Sequence, residues 1–376
     1  SALGMANNIN EEGFSLDDYV NFMGGFRNLM RSGLGSFQDG RPTASLGAAN
    51  QSGINTVYAG GLNFNYELNK KTELISSYFY NRVRNDLETE TTREYFNNDF
   101  NFDTRELSDE RSEVDNHRLN LRVEHDIDST QDLRVRANVQ YNDGFTEYFS
   151  NQFSLLEDGT VRNAQINENR GEGTGLDINT NATYRKKFGR SGRNLVIRGN
   201  LVVAEDDRET NLNAITSLDI SDTLRQFQDY RSTRLNFGGE VRYTEPLGKA
   251  RYLELRYAHQ ENNTTLDKDF FDVDASSETR TFNAALSNEY DNTYRFDRGT
   301  VNFQISRDKY NLTAGVAAQQ SELDGELINL ETNINKSFFN VLPSARFVYR
   351  FTNSKRVQLR YRTSVNEPSI EQLQPV

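Results

Sequence analysis

The clearest pattern in the chain is an alternation of apolar and polar residues with a period of two, which is strongest near the C-terminal end. In RFVYR, Phe347 and Tyr349 fall on one face, while Arg346 and Arg350 fall on the other. After a polar turn at 352–355 the alternation resumes in RVQLRYR. Successive side chains of a β-strand point to opposite faces, so this pattern predicts a hairpin. One face of that hairpin is apolar and aromatic, and the other is rich in arginine.

Five further pairs of segments repeat this alternation. The predicted strand pairs are Thr56–Leu68 with Thr72–Val83, Val114–Ile127 with Asp132–Gly144, Leu176–Phe188 with Asn194–Asp206, Ser232–Leu247 with Arg251–Asn263, and Thr300–Arg307 with Tyr310–Glu322. Together with the first hairpin they make about twelve strands. Residues 1–55 lack a strong period and are predicted to be a loop region, with a possible short helix beginning at Ser15.

The predicted connections alternate in length. Turns within hairpins have five residues or fewer, whereas the connections between hairpins have fifteen or more, at 84–113, 145–175, 207–231, 264–299 and 323–337. This pattern predicts short turns on one side of the sheet and long loops on the other. Thr281–Phe296 shows some alternation of its own, but an extra spanning strand would break the order of turns, so we assign it to the long loop.

Long strands with one apolar and one polar face, joined by connections of this kind, are typical of an outer-membrane β-barrel. Lipid offers no hydrogen-bond partners, so a spanning sheet has to close on itself. Its lipid-facing column is apolar, and its inner column can carry Arg, Asn and Glu. Tyrosines near strand ends fit the aromatic belt at the membrane interface: Tyr66, Tyr141, Tyr184, Tyr243 and Tyr310. A soluble two-layer β-sandwich is the alternative for this pattern.

The amino-acid composition excludes several classes of protein and of site. Hydrophobic residues make up 35% of the 376 residues, yet the chain has 18 Tyr and 24 Phe, which argues against disorder. The net charge of −12 argues against nucleic acid as a partner. There is no cysteine, so disulfides, thiolate zinc sites and thiol catalysis are excluded. We find no apolar run long enough for a transmembrane helix, and SALGMANNIN lacks the features of a signal peptide.

The segment Leu342–Val376, and above all its PSIEQLQP run, resembles the barrel of TonB-dependent outer-membrane receptors, in the large branch of outer-membrane β-barrel proteins. Ala6–Ser15 (ANNINEEGFS) and Tyr310–Leu323 (with AGVAAQQSEL) resemble the same family. The resemblance implies a 22-stranded barrel, an N-terminal plug and uptake of scarce large solutes with energy delivered through TonB.

This sequence departs from that plan, because it shows about 12 of an expected 22 strands and neither a plug nor a TonB box. We therefore expect an internal fragment of a longer receptor, with a barrel strand upstream of the loop region and further strands after PSIEQLQP. The expected partners are outer-membrane lipid, the receptor's own plug, TonB and an unknown solute. The expected location is the outer membrane of a Gram-negative bacterium.

Two groups of residues are weak candidates for binding a solute. Arginines of the inner face, represented by Arg346 and Arg360, could bind an anionic solute, although pairing with Glu67, Glu124, Glu240, Glu254 and acids of the plug is the favoured role. Four aromatic residues within the acidic segment 84–113 could grip a ligand or stabilise their own loop: Tyr95, Phe96, Phe100 and Phe102.

Metal and catalytic sites find little support. The acidic run LDKDFFDVD, with Asp267, Asp269, Asp272 and Asp274, lacks the spacing of an EF-hand loop, and we interpret it as a solvated loop. His117 and His125 lie eight residues apart on one predicted strand, and neither has a serine or carboxylate at a spacing typical of a catalytic triad. We expect no enzyme, metal or cofactor. The predicted function is solute uptake, with two alternatives: a structural or secretion-associated barrel that scaffolds partner proteins, and a soluble β-sandwich adhesin.

Overall fold

The computed structural model describes residues 53–95, 102–156, 159–217, 221–248, 250–327, 332–352 and 355–365. They form one antiparallel sheet in which each long strand pairs with the next one along the chain. The strands are β1 (Ile54–Asn69), β2 (Thr72–Tyr95), β3 (Phe102–Asp128), β4 (Gln131–Leu156), β5 (Val161–Lys187), β6 (Asn194–Ser217), β7 (Ser221–Gly248), β8 (Arg251–Val273), β9 (Arg280–Phe282), β10 (Asn288–Ser306), β11 (Tyr310–Leu327), β12 (Thr332–Arg350) and β13 (Arg356–Arg362). The described residues contain no helix long and apolar enough to cross a bilayer.

The all-β, up-and-down antiparallel architecture is confirmed, and so are the six hairpins. Twelve long strands follow one another in sequence order, and the three-residue β9 pairs with β8 beside that path. Among the described residues the sheet is not closed, since β1 pairs only with β2 and β13 only with β12. The loop region and short helix predicted within residues 1–52 lie outside the described residues.

The prediction of long loops was wrong. Segments 84–113, 145–175, 207–231 and 323–337 are strand for most of their length, because the ladder of β2 and β3, for example, continues in register from Thr72–His125 to Tyr95–Phe102. The prediction ended each strand where its apolar column ended. The backbone hydrogen bonds do not depend on that column and continue beyond it.

The assignment of Thr281–Phe296 to a loop was also wrong. Its second part, from Asn288, is the first half of β10 and pairs with β8, and Arg280–Phe282 is β9. The count of spanning strands is unaffected, because β9 has only three residues.

The register places every residue on one of two faces, since directly opposed residues of an antiparallel pair share a face. Tyr78, Leu119 and Val139 are opposed in turn across β2, β3 and β4 and lie on what we call the outer face. Their sequence neighbours, such as Arg118 and Asn138, lie on the inner face. We call the end of the sheet with the turns near 70–71, 129–130 and 307–309 the turn end, and the opposite end the far end.

An apolar band covers the outer face next to the turn end. Its members include Leu62, Phe64, Leu119, Leu121, Val135, Val139, Ile178, Ile197, Leu201, Phe237, Val241, Leu255, Val301, Phe303, Val316, Phe347 and Leu359. On β4 the column from Leu133 to Tyr141 is roughly 27 Å long at about 3.4 Å per residue. Tilted by about 35–45°, a column of this length spans roughly 20 Å of height, somewhat less than the roughly 25 Å band of outer-membrane barrels.

All five tyrosines predicted for the interface lie on the outer face. Tyr66, Tyr184, Tyr243 and Tyr310 stand near the turn end, and Tyr141 stands at the other limit of the band. Beyond Tyr141 the outer column of β4 is no longer continuously apolar, because Asp143 and Glu147 alternate there with Phe145 and Phe149. The neighbouring columns of β3 and β5 become charged at the same height. We call the part of the sheet that holds the band its lower half, and the part beyond it the upper half.

The distribution of burial is inverted relative to a water-soluble protein. Large exposed apolar side chains, such as Leu62 (76% exposed), are concentrated on the outer face, whereas Asn116, Ser150 and Gln319 are fully buried on the inner face. Crowding of the inner side chains is expected of a sheet that curls towards that face. The arrangement suits an apolar solvent outside and a polar lumen inside.

Candidate functional site

The inner face of the lower half is dominated by arginine. This arginine zone contains Arg118, Arg122, Arg134, Arg136, Arg185, Arg198, Arg234, Arg242, Arg256, Arg298, Arg346, Arg350, Arg356, Arg360 and Arg362. They outnumber the carboxylates at the same height on this face, which are Glu67, Glu73, Glu124, Asp126, Asp132, Asp177, Glu240 and Glu254. The inner face is therefore cationic, although the chain as a whole has a net charge of −12.

Some of these arginines are paired, as the sequence predicted. Arg242 Nη2 lies 2.8 Å from Glu240 Oε1, and Arg256 Nη2 lies 3.0 Å from Glu254 Oε1. Each glutamate also reaches the other arginine, at 3.5 Å for Arg256–Glu240 and 3.8 Å for Arg242–Glu254. These four side chains form a charge-balanced quartet across β7 and β8.

A cavity of about 780 Å³ opens on the arginine zone beside the quartet, near the turn end of β4 to β7. Its basic lining residues are Arg134, Arg136, Arg185, Lys187, Arg193, Arg198 and Arg242, and its acidic one is Asp132. Arg185 Nε donates to Asp132 at 2.8 Å, and Arg193 and Arg242 are paired with Glu245 and Glu240, each at 2.8 Å. The cations of the lining without an ion pair among the described residues are Arg136 and Lys187. The cavity can hold an anionic group.

The predicted pair Arg346 and Arg360 is brought together by the structure. The two residues are directly opposed on β12 and β13, with Arg350 opposed to Arg356 towards the turn. Within the described residues none of these four arginines has an ion-pair partner, in contrast to the quartet on β7 and β8. Like charges facing each other across a ladder are destabilising, so these positions favour an anion or an acidic group nearby.

The upper half of the inner face is chemically different. On β4 to β7 its inner columns are mostly uncharged, and we call them the amide zone. It comprises Thr146, Tyr148, Ser150, Gln152, Gln165, Asn167, Asn169, Gly171, Gly173, Gly175, Asp206, Arg208, Thr210, Leu212, Gln226, Gln228, Tyr230 and Ser232. Its two charges neutralise each other, because Arg208 Nε donates to Asp206 Oδ1 at 2.8 Å.

Side chains of the amide zone bond one another along and across the strands. Asn167 Nδ2 donates to Ser150 Oγ at 3.0 Å, and Gln165 Nε2 donates to Asn167 Oδ1 at 2.9 Å. The Tyr148 hydroxyl donates to Glu106 on the neighbouring β3 at 3.0 Å. These bonds hold the polar groups in fixed positions on the face of the sheet.

Sequence analysis missed the amide zone because it assigned 145–175 and 207–231 to loops. The signal was present in QINENRGEGTG, where Gln165, Asn167, Asn169 and three glycines alternate with Glu168, Arg170 and Glu172. This is a period of two with charge in place of the apolar column. A search for any alternation, rather than for an apolar one, would have found it.

The aromatic candidates lie far from Arg346 and Arg360. Tyr95 ends β2, is 41% exposed, and is opposed to Phe102 at the start of β3. Phe96 and Phe100 lie outside the described residues. In the order of the sheet, β2 and β3 are separated from β12 and β13 by all the strands between them, and the two groups also stand at opposite ends of their strands.

The four aspartates of LDKDFFDVD do not converge. Asp267 and Asp269 lie on the outer face, whereas Asp272 lies on the inner face. Burial, with the charges of Asp267 and Asp229, raises the pKa of Asp269. The Ser276 hydroxyl and the Ser277 amide donate to Asp274 and hold its pKa well below the usual value.

No metal or catalytic centre emerges from the described part of the chain. No group of three or more His, Asp and Glu residues there is placed to hold a metal ion. His259 Nδ1 lies 2.9 Å from Asp297 Oδ1, but the Tyr257 hydroxyl donates to the same oxygen at 2.5 Å. All three lie on the outer face at the limit of the apolar band.

The match to one protein family agrees with this geometry. The model of the outer membrane protein beta-barrel family matches residues 186–376. A search of curated proteins finds no match. Among solved structures, the crystal structure of the ferric citrate transporter FecA in its unliganded form matches with 13% identity and a TM-score of 0.41, over 81% of this chain and 43% of that one. The chain thus spans less than half the length of that transporter. On the family match, the chain belongs to the outer membrane protein β-barrel family, whose place is the outer membrane of Gram-negative bacteria.

Proposed function

We propose that this chain is part of the wall of a TonB-dependent receptor that takes up a scarce large solute across the outer membrane. The observation that carries the proposal is the inner face. It presents hydrogen-bonding side chains over the whole height of a twelve-strand wall, while the outer face at membrane height is apolar. A wall of at least twelve strands belongs to a barrel wider than the small barrels of about eight strands that side chains fill, and such a lumen suits passage of a large solute.

The resemblance of Leu342–Val376 to TonB-dependent receptors supports the same function. In a bilayer the free edges of β1 and β13 need partners, because unpaired backbone groups are costly in lipid. The proposal therefore includes further strands that complete a barrel of about 22 strands, as in plugged outer-membrane transporters. It also includes a plug that fills the lumen and couples it to TonB. The protein then acts as a transporter and not as an enzyme.

In this function, the unpaired arginines of the arginine zone bind acidic groups that fill the lumen. Arg136, Arg346 and Arg360 have no ion-pair partner among the described residues and face the lumen. Acidic groups of a plug would neutralise them, and movement of the plug would expose them in turn. Their role is thus to hold what fills the lumen, as the favoured interpretation of the sequence has it.

Uptake by the full-length protein tests the proposal. A strain that lacks the gene is compared with its parent for growth on single scarce nutrients, and each strain is tested with and without a functional TonB. We expect one nutrient whose use needs both the gene and TonB. Growth that needs the gene but not TonB, or a full-length sequence without plug and TonB box, would contradict the proposal and favour the scaffolding barrel.

A further inference from the structure

We propose that the amide zone binds a neutral oligosaccharide, so that the solute class of the receptor is an uncharged carbohydrate. The inference rests on the proposed function, because it names the solute that the lumen receives. It starts from a cavity of about 350 Å³ on the inner face of β4 to β7, in the upper half. That volume lies at the lower end of the range for small-molecule sites.

The floor of this cavity is backbone rather than side chain. Gly144 and Gly173 are directly opposed on β4 and β5, and Gly171 and Gly175 continue the column. At Gly173 a Cβ atom would lie 2.6 Å from the Asp207 carbonyl oxygen, so the sheet there accommodates only glycine. The glycines leave a flat recess in an inner face that is otherwise covered by long side chains.

The walls of the recess carry groups that both donate and accept hydrogen bonds. Thr146 and Ser232 contribute hydroxyls, Asn142 an amide, and Tyr230 an aromatic ring with a hydroxyl. Sugar hydroxyls also both donate and accept, so each can be matched by such a wall. The Arg208 guanidinium lies over the Tyr230 ring at 5.4 Å and orients it.

The charge of the recess argues against an ionic ligand. Asp206 and Arg208 bond each other, and the remaining inner-face charges of the lining, Asp177 and Arg234, are opposite in sign. Burial of an uncompensated charge against this surface would be costly. Two further acidic residues of the lining, Glu172 and Glu205, lie at positions of the outer face. Anionic groups are better accommodated by the arginine zone, which borders the recess at Asp177 and Arg234 and extends from there to the turn end.

A peptide fits the recess less well than a carbohydrate. Peptides are usually bound by addition of a strand to a free edge or by apolar pockets for their side chains. The backbones of β4 to β7 are paired on both sides over the whole recess, so no edge is free there. Its lining holds few apolar side chains.

Direct binding to the purified full-length protein tests the inference. The probes are an array of neutral oligosaccharides of several sugar types, the corresponding uronic-acid and sulfated oligosaccharides, and an array of short peptides. We expect at least one neutral oligosaccharide to bind in preference to its charged forms. Preferential binding of a charged oligosaccharide or a peptide, or no binding of any neutral one, would overturn the inference.

Two glycines provide a matched pair of variants. A side chain at Gly175 would point into the recess, and the nearest atom to its Cβ, Asn142 Nδ2, is 3.7 Å away. Gly175→Phe should therefore fill the recess and weaken binding of the oligosaccharide at least tenfold. Gly299→Phe adds the same side chain to the outer face, where nothing lies within 4 Å, and should leave binding unchanged. Equal affinities of both variants would place the ligand elsewhere.

A second measurement does not depend on the folding of Gly175→Phe. In this cysteine-free chain, Ser232→Cys places a thiol at the recess and Thr233→Cys places one on the outer face. The oligosaccharide should slow the reaction of the first thiol with a maleimide and not that of the second. Equal protection of both would overturn the inference.

These binding experiments do not require TonB, so the two proposals fail separately. Binding that persists without any TonB-dependent uptake would contradict the proposed function and leave the site in place. TonB-dependent uptake of a charged solute or a peptide would leave the function in place and overturn the assignment of the solute class.

Discussion

Arg242 and Arg256 are directly opposed on β7 and β8, and two glutamates each bond both of them. Glu240 and Glu254 thus separate two positive charges that would otherwise repel. Arg346 and Arg360 are opposed in the same way on β12 and β13, but no carboxylate among the described residues stands between them. Both arginine pairs are directly opposed across a strand pair, but only Arg242 and Arg256 have carboxylates that neutralise their charge.

We predict that Glu240→Gln destabilises the protein by about 1–3 kcal/mol, because two partly buried arginines lose the negative charge of their shared partner. Arg360→Gln should have no cost, or stabilise by up to about 1 kcal/mol, because it removes a repulsion across the ladder. Urea unfolding of the full-length protein in lipid vesicles measures both changes. A similar loss of stability in the two variants would show that an acidic group outside the described residues holds Arg360.

The two faces of β4 predict opposite tolerance to charge. Val139 lies in the apolar band, and Asn138 lies on the inner face one residue away. Val139→Arg should destabilise the protein by about 1–3 kcal/mol, because the cost of arginine on the lipid face falls from the middle of the bilayer towards the interface and Val139 stands between the two. Asn138→Arg joins an inner column that already carries Arg134 and Arg136 and should be tolerated.

The same unfolding assay, with the yield of protein in the outer-membrane fraction, compares these two variants. Tolerance of Val139→Arg together with loss of Asn138→Arg would show that the faces are assigned the wrong way round. Equal stability of the two variants would show that the outer column of β4 does not face lipid.

Two aspartates near the far end of β8 predict opposite dependences of stability on pH. The pKa of Asp269 is raised by burial and by Asp267 and Asp229, so its ionisation destabilises the folded state above the raised pKa. Asp269→Asn should increase stability at about pH 7, and the gain should fade as the pH falls through the raised pKa and be absent below the ordinary carboxyl pKa of about 3.9.

For Asp274 we predict that the charged carboxylate stabilises the folded state, which is the opposite of its effect at Asp269. Bonds from Ser276 and Ser277 lower its pKa, so its charge stabilises the folded state above the ordinary pKa, and this contribution is lost as the pH falls through the lowered value. Asp274→Asn should reduce stability near neutral pH and have little effect in strong acid. The unfolding temperatures of both variants are measured across the acidic range and up to neutral pH. Changes of the same sign at neutral pH would contradict the opposite pKa shifts of Asp269 and Asp274.

Much of the lower half could be predicted from the sequence. The alternation around Phe347 and Leu359 identified the strands and their apolar face, and the short turns set the register that opposes Phe347 to Leu359. The placement of the interfacial tyrosines followed from the same alternation. Pairing of inner arginines with Glu240 and Glu254 was also predicted, because both residue types alternate on one face.

The upper half could not be predicted from apolar alternation. Outside the membrane the outer face meets water, so Glu168, Arg170 and Glu172 take the positions that apolar residues hold below. The recess depends in addition on how four strands align side by side. That Gly173 faces Gly144 and lies against Arg208 is a property of the register between strands and not of any one segment.

The central claim is that the outer face of the lower half meets lipid and that the strands continue above the membrane. A spin-label scan along β4 of the full-length protein in lipid vesicles tests it most directly, with single cysteines at successive positions from 135 to 149. At 135, 137, 139 and 141 the labels should be accessible to oxygen dissolved in lipid, and the inner positions between them should be accessible to a water-soluble nickel reagent. From Asp143 onwards the outer labels should also become accessible to the water-soluble reagent, with the period of two in label mobility continuing to Phe149. Access of the water-soluble reagent to the outer positions 135, 137, 139 and 141, or loss of the period of two beyond Asp143, would contradict the account.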